Sequence, residues 1–189
     1  MARSAAQTRQ RIIDAAYGLF WRQGFVRASV DDIAARANIT KRTLYQHFRS
    51  KDDLIVTVLT HANELAIQRL QRIADRLPEG RNAMIDAVFT ELAEWAAKPR
   101  WSGGGFTRVV SELADLPGHP ARGVARQHKA ATELWFAELL ARAGVRSSLQ
   151  RGREVALLME GALSLILIHG DVSYAEAAAS AAKRLVKSK

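Results

Sequence analysis

The chain has 189 residues, enough for one or two domains with an apolar core, and its 48% hydrophobic and 25% charged content excludes wholesale disorder. Lys and Arg number 28 against 19 Asp and Glu, a formal +9, which suits a polyanionic partner because neutralised phosphates release condensed counterions, or else a generic solubilising surface. The absence of cysteine excludes disulfides, thiolate metal sites and a Cys nucleophile; with a polar, basic start and no apolar stretch long enough to span a bilayer, a cytoplasmic protein without a membrane partner is expected.

Prolines stand only at 78, 99, 117 and 120, and no segment alternates apolar and polar residues long enough for a strand. Apolar residues recur every three or four positions, which predicts an all-α chain of about nine helices over 8–23, 30–37, 40–48, 51–77, 80–98, 104–116, 120–143, 149–169 and 173–187. The first puts Ile12, Ala15, Ala16, Leu19 and Phe20 on one stripe and stops at Gly24, with Phe25 placed for a C-cap contact. Ser29 is an N-cap for the second, whose Asp31 and Asp32 complement the positive helix end. In the turn Ala37-Asn38-Ile39-Thr40, Asn38 tolerates a left-handed conformation and Thr40 caps the third helix. There Leu44 and Phe48 face inward, while Lys41, Arg42, Thr43, Tyr45 and His47 occupy the opposite face. Two short helices joined by a tight turn, the second basic at its start, make a helix-turn-helix. Ser50 and Asp53 form a capping-box-like start for the fourth helix. Further on, three successive glycines at 103–105 are expected to leave a flexible connection.

The blocks Arg11-Ile12-Ile13-Asp14-Ala15-Ala16, Gly24-Phe25, Ala28-Ser29-Val30-Asp31-Asp32-Ile33-Ala34, Thr40-Lys41-Arg42-Thr43-Leu44-Tyr45-Gln46-His47-Phe48 and Ser50-Lys51-Asp52-Asp53-Leu54 carry a resemblance. In order and spacing they resemble the DNA-binding domain of the TetR family of bacterial transcriptional regulators, over about the first quarter of the chain. The resemblance implies a helix-turn-helix head over 1–54 and a helical effector-binding and dimerisation domain over 55–189. Two positions depart from the family pattern: a glycine or alanine is usual where Arg42 stands, and a glycine is common where Asn38 stands.

A recognition helix lies in the major groove with its N-terminal residues nearest the bases. Arg42 is therefore the first candidate for base readout, its guanidinium matching the O6/N7 pair of guanine, with Thr40, Lys41 and Thr43 beside it. Tyr45, His47, Lys51 and Ser29 are assigned to phosphates; Tyr45 and His47 have packing of the domain's outer edge as an alternative. Arg3, Arg9 and Arg11 form a candidate basic arm for an adjacent minor groove, or, for Arg3, a solubilising terminus.

Further along, Trp95, Trp101, Phe106 and Trp135, with polar His61 and Glu112, suit a small-molecule pocket in a helical bundle; ordinary core packing is the alternative. The family resemblance implies an effector there. It also implies that the last two helices form a four-helix bundle with a second subunit, through Leu158, Ala162, Leu165 and Ile166 and through Ala178, Ala182 and Leu185, where an intramolecular core is the alternative. Glu112, His119 and His128 have no recognised metal-ligand spacing, so neither metal nor cofactor is expected, and His119 before Pro120 suits a helix start. Three functions stand: a repressor that binds a palindromic operator as a homodimer and is released by a small molecule; a DNA-binding factor without an inducer; and a small helical enzyme. The last is disfavoured by the lack of a phosphate-cradling glycine motif, G-x-S-x-G or a paired-His zinc signature.

Overall fold

The computed structural model describes residues 4–187, so the contact expected of Arg3 lies outside the described residues. Among them are nine helices and no strand: α1 (Ala5–Gln23), α2 (Val30–Arg36), α3 (Lys41–His47), α4 (Lys51–Ala74), α5 (Arg81–Ala96), α6 (Gly105–Glu112), α7 (Pro120–Arg142), α8 (Ser148–His169) and α9 (Ser173–Val186). The all-α reading holds, with ends displaced by a few residues. α1 begins three residues earlier than its apolar stripe suggests, because Ser4 and Gln7 form a capping box: each side chain accepts the other's backbone N–H at 3.2 Å. Among the described residues no helix is long and apolar enough to cross a membrane.

The chain folds into two compact units. The first holds the chain up to Leu65 together with Gly105–Gln127; the second holds Ala66–Gly104 and the chain from His128 onward. In the first, Phe20, Phe25, Phe48, Ile33, Leu44 and Leu54 are fully or almost fully buried, in one cluster that also takes in Phe106 and Val109 from α6 and Leu113 just after it. The helix-turn-helix thus shares its core with α6 and the start of α7, which lie far from it in sequence. The second unit is centred on Phe89, Phe136, Leu140 and Val155, with α9 packed against both α5 and α8. Small residues permit a close crossing there: a Cβ added to Gly152 of α8 would lie 2.6 Å from the Ala137 backbone nitrogen of α7.

The same C-terminal device occurs once in each unit. After α2, Asn38 is left-handed (φ 50°), its N–H bonds to Ala35 O at 3.0 Å and that of Ile39 to Ala34 O at 3.0 Å, a Schellman motif. After α7, Gly144 is left-handed (φ 70°), with Gly144 N–H on Ala141 O and Val145 N–H on Leu140 O, both at 2.9 Å. An arginine from another helix serves the carbonyls left over in each case. Arg11 of α1 donates to Ala37 O and Asn38 O, and Arg81 of α5 donates to Ala143 O and Gly144 O, both at 2.9 Å.

Candidate nucleic-acid interface

The reading helix is fixed at both ends before any side chain on it matters. Thr40 Oγ accepts the Thr43 N–H at 3.1 Å and lies 2.9 Å from the Thr43 hydroxyl, so both threonines are engaged in the cap. Inward, Leu44 is fully buried and Phe48 almost so, which presents the opposite face to solvent. Lys41, Arg42 and Tyr45 are exposed there, while Thr43 and His47 are half-buried. Among the described residues Arg42 has no hydrogen-bond or ion-pair partner, whereas Lys41 is paired with Asp31 of α2 at 3.1 Å. That pair is largely exposed on both sides, and such pairs contribute only about 0–1 kcal/mol, so Lys41 remains available to a phosphate or base.

Ser29 caps α2, accepting the Asp32 N–H at 3.0 Å, while its hydroxyl donates to the Asp32 carboxylate at 2.7 Å. At the start of α4, Ser50 accepts the Asp53 N–H at 3.0 Å, and Asp53 accepts the Arg49 N–H, also at 3.0 Å. The reciprocal arm of the expected capping box therefore reaches Arg49 in place of Ser50. Lys51 is half-buried and donates to Val26 O at 2.7 Å. Burial lowers its pKa, and the carboxylates of Asp52 and Glu112 counter that in part.

The basic arm is placed differently from expectation. Arg11 is committed to the α2–α3 turn, where it holds two carbonyls, and the Arg9 guanidinium stacks 4.9 Å above the Phe48 ring. Both lie within α1, on a helix and not on an extended arm.

Glu112, expected in an effector pocket, belongs to the first unit and has both oxygens occupied: Oε1 by Arg108 Nε at 2.7 Å and Oε2 by Val26 N–H at 2.9 Å. Phe106 is buried in the same unit's core, and His61 lies 3.8 Å from Glu64 one turn along α4. In the second unit Trp95 and Trp101 meet edge-to-face at 5.6 Å, and Trp135 meets Phe136 at 4.9 Å. The indole N–H groups of Trp101 and Trp135 are buried without a hydrogen-bond partner. A cavity of about 650 Å³ opens between α7 and α8, lined by Lys129, Thr132, Glu133, Arg153, Leu157 and Glu160 among others, and by none of the six residues expected at a pocket. Its charges are matched internally, Lys129 to Glu160 at 2.6 Å and Arg153 to Glu133 at 3.2 Å. His119 approaches Asp52 at 3.3 Å and accepts the Ala121 N–H at 3.2 Å, the role its place before Pro120 suggests.

The residues expected at a subunit interface divide by exposure. Ala162, Ile166, Ala178 and Ala182 are buried within their own unit, and Leu158 and Leu185 are half-buried; of the seven only Leu165 faces outward. α8's outward apolar residues are a different set, Leu157 at 73% and Ile168 at 68% exposure with Leu149, Leu165 and Leu167. Leu157, Gly161, Leu165 and Ile168 follow one another at three- and four-residue spacing, one face of the helix.

Residues 12–58 match the family model described as bacterial regulatory proteins, tetR family. Among similar proteins, the HTH-type transcriptional regulators SrpR and TtgR of Pseudomonas putida are 45% identical over 58 residues and 37% identical over 60, about a third of this chain in each case. Those stretches span only 27% and 29% of the two relatives. In structure, a TetR-family transcriptional regulator from Streptomyces coelicolor superposes with a TM-score of 0.86 at 25% identity, covering 96% of this chain and 95% of its own. A TetR transcriptional regulator from Legionella pneumophila, at a TM-score of 0.79 and 24% identity over 99% of this chain and 100% of its own, adds likeness of fold alone. A capped helix-turn-helix over residues 12–58 thus matches the tetR family of bacterial regulatory proteins, and the all-helical chain that carries it superposes along almost its whole length on a TetR-family regulator.

Proposed function

We propose that the protein is a transcriptional repressor that holds a palindromic operator as a homodimer and lets it go when a small-molecule effector binds. The observation that carries this reading is the solvent face of α3, where exposed Lys41, Arg42 and Tyr45 stand on a helix fixed by Thr40 at one end and by Leu44 and Phe48 beneath. Arg42 reads a guanine, Lys41 and Thr43 flank it, and Tyr45, His47, Lys51 and Ser29 meet phosphates, with Thr40 at the groove edge through its cap.

The dimer is supported by the outward apolar stripe of α8, since an exposed series of large aliphatic side chains on a soluble helix marks a contact surface. A two-fold pair of heads reads two half-sites, which a single helix-turn-helix does only weakly. The effector is supported by Trp95, Trp101 and Trp135 in the second unit, where two buried indole donors await an acceptor. Effector and operator then couple reciprocally, each weakening the other by the same factor.

The test is a fluorescence-anisotropy titration of the selected operator, with and without small molecules that raise the melting temperature. The reading predicts tight, salt-dependent binding that a stabilising molecule weakens. Operator binding unchanged by every stabilising molecule would point to a DNA-binding factor without an inducer.

A further inference from the structure

Resting on the DNA-binding reading, we infer that Glu112 and Arg108 of α6 are positioning residues for DNA binding: they fix the backbone of Val26, whose carbonyl aims the Lys51 ammonium at a phosphate. Both lie outside residues 12–58, the stretch that carries the helix-turn-helix match.

The contacts form a short chain, all within the first unit. α1 ends at Gln23 and leaves its last carbonyls without helical partners, as every helix does. Arg108 Nη1 donates to one of them, Trp21 O, at 3.0 Å, while its Nε holds Glu112 Oε1 at 2.7 Å. The other carboxylate oxygen takes the Val26 N–H at 2.9 Å, and the carbonyl of the same residue accepts from Lys51 Nζ at 2.7 Å. Glu112 and Lys51 thus hold the turn after α1 from its two polar sides. An ammonium has three N–H bonds, so one on Val26 leaves two in set directions for a phosphate oxygen.

Two glycines make room for this arrangement. A Cβ on Gly24 (φ +107°) would stand 2.7 Å from Glu112 Oε1, and one on Gly105 would stand 2.5 Å from the Trp21 ring. Gly24 also serves the end of α1, since its φ of +107° is one that other residues rarely adopt. Both are needed for α6 to approach the turn closely enough for its carboxylate to reach a backbone N–H. Arg108 and Glu112 are each less than a third exposed, so the bonds form out of full competition with water.

The experiment measures binding of the full chain and its Glu112→Ala, Lys51→Ala and double variants to a fluorescent random-sequence duplex and to an inverted repeat enriched from it, over a range of salt. Glu112→Ala is expected to weaken both duplexes alike, to lower the salt slope by about 0.9, the share of one phosphate contact, and to leave the base preference unchanged. The double variant is expected to bind no worse than Lys51→Ala alone. Thermal melting checks the fold; should Glu112→Ala melt early, Glu112→Met, which is close in volume and has no oxygen to accept the Val26 N–H, is read by the same criteria. A folded Glu112 variant with unchanged affinity and slope, or losses that multiply in the double variant, would overturn the inference. Failure of the unsubstituted chain to bind either duplex would instead sink the DNA-binding reading, and this one with it.

Discussion

Arg42 and Lys51 separate two kinds of DNA contact that a single affinity cannot. Arg42 stands exposed on the outer face of α3, and Lys51 is anchored to Val26 O; in the proposed function the first chooses among bases and the second meets the backbone. Arg42→Ala is expected to cost about 1–3 kcal/mol on the operator and to relax preference at one base pair, whereas Lys51→Ala weakens all sequences alike; competition with single-base operator variants separates the two. His128 supplies a different residue-scale test. Burial, reinforced by the Lys129 charge and partly offset by Glu160, lowers its pKa from 6.5 to about 4. The unfolded chain therefore takes up a proton as the pH falls through 6.5, while the folded chain does not until about 4, so stability is lost across that window, on the order of 3 kcal/mol. Denaturant melts at neutral and mildly acid pH are expected to show a smaller acid loss for His128→Gln than for the unsubstituted chain; an identical loss in both would remove His128 as its source.

At the scale of elements, the caps were open to reading because they are local. Ser29, Thr40 and Asn38 act within three residues of themselves, and each performs the backbone role its chemistry suggests. The Ser4–Gln7 box that sets the start of α1 is equally local, its two residues standing three apart in the sequence. What the one-dimensional pattern does not hold is the partner of a long side chain. Arg11 and Arg81 are basic residues on helix surfaces until the fold brings a carbonyl-rich helix end beneath each. The glycines at 103–105 are a similar case: expected to serve flexibility, they include Gly105, which opens α6 and leaves space for the Trp21 ring. Gly152 has no local signature either, yet its missing Cβ lets α8 cross α7. Gly152→Ala is expected to destabilise the chain by about 1–3 kcal/mol and to lower its melting temperature by several degrees, since the clash is with backbone and cannot be relieved by a rotamer change. A melting temperature unchanged or raised by this substitution would contradict the close crossing.

For the whole molecule, helix periodicity located α8 and α9 but could not tell a side chain buried in its own unit from one that faces a second subunit, since both are apolar. The small residues Ala162, Ala178 and Ala182 fill the unit's own core, and the outward stripe instead runs through Leu157 and Ile168. Glu substitutions at Leu157 and Ile168 are accordingly expected to give a folded monomer in sedimentation velocity with a much weaker operator complex, while the melting temperature barely moves. The boundary between units was likewise hidden, because α6 joins the head through contacts distant in sequence, those with Val26 and Trp21 among them. Whether two such heads read one symmetric site, as proposed, is decided by selecting binding sites from random DNA at two salt concentrations and measuring the stoichiometry of the winning complex. The expected outcome is an enriched inverted repeat, two chains per site, and affinity that falls steeply with salt. Enrichment of no sequence, or of an asymmetric site held by one chain, would contradict it.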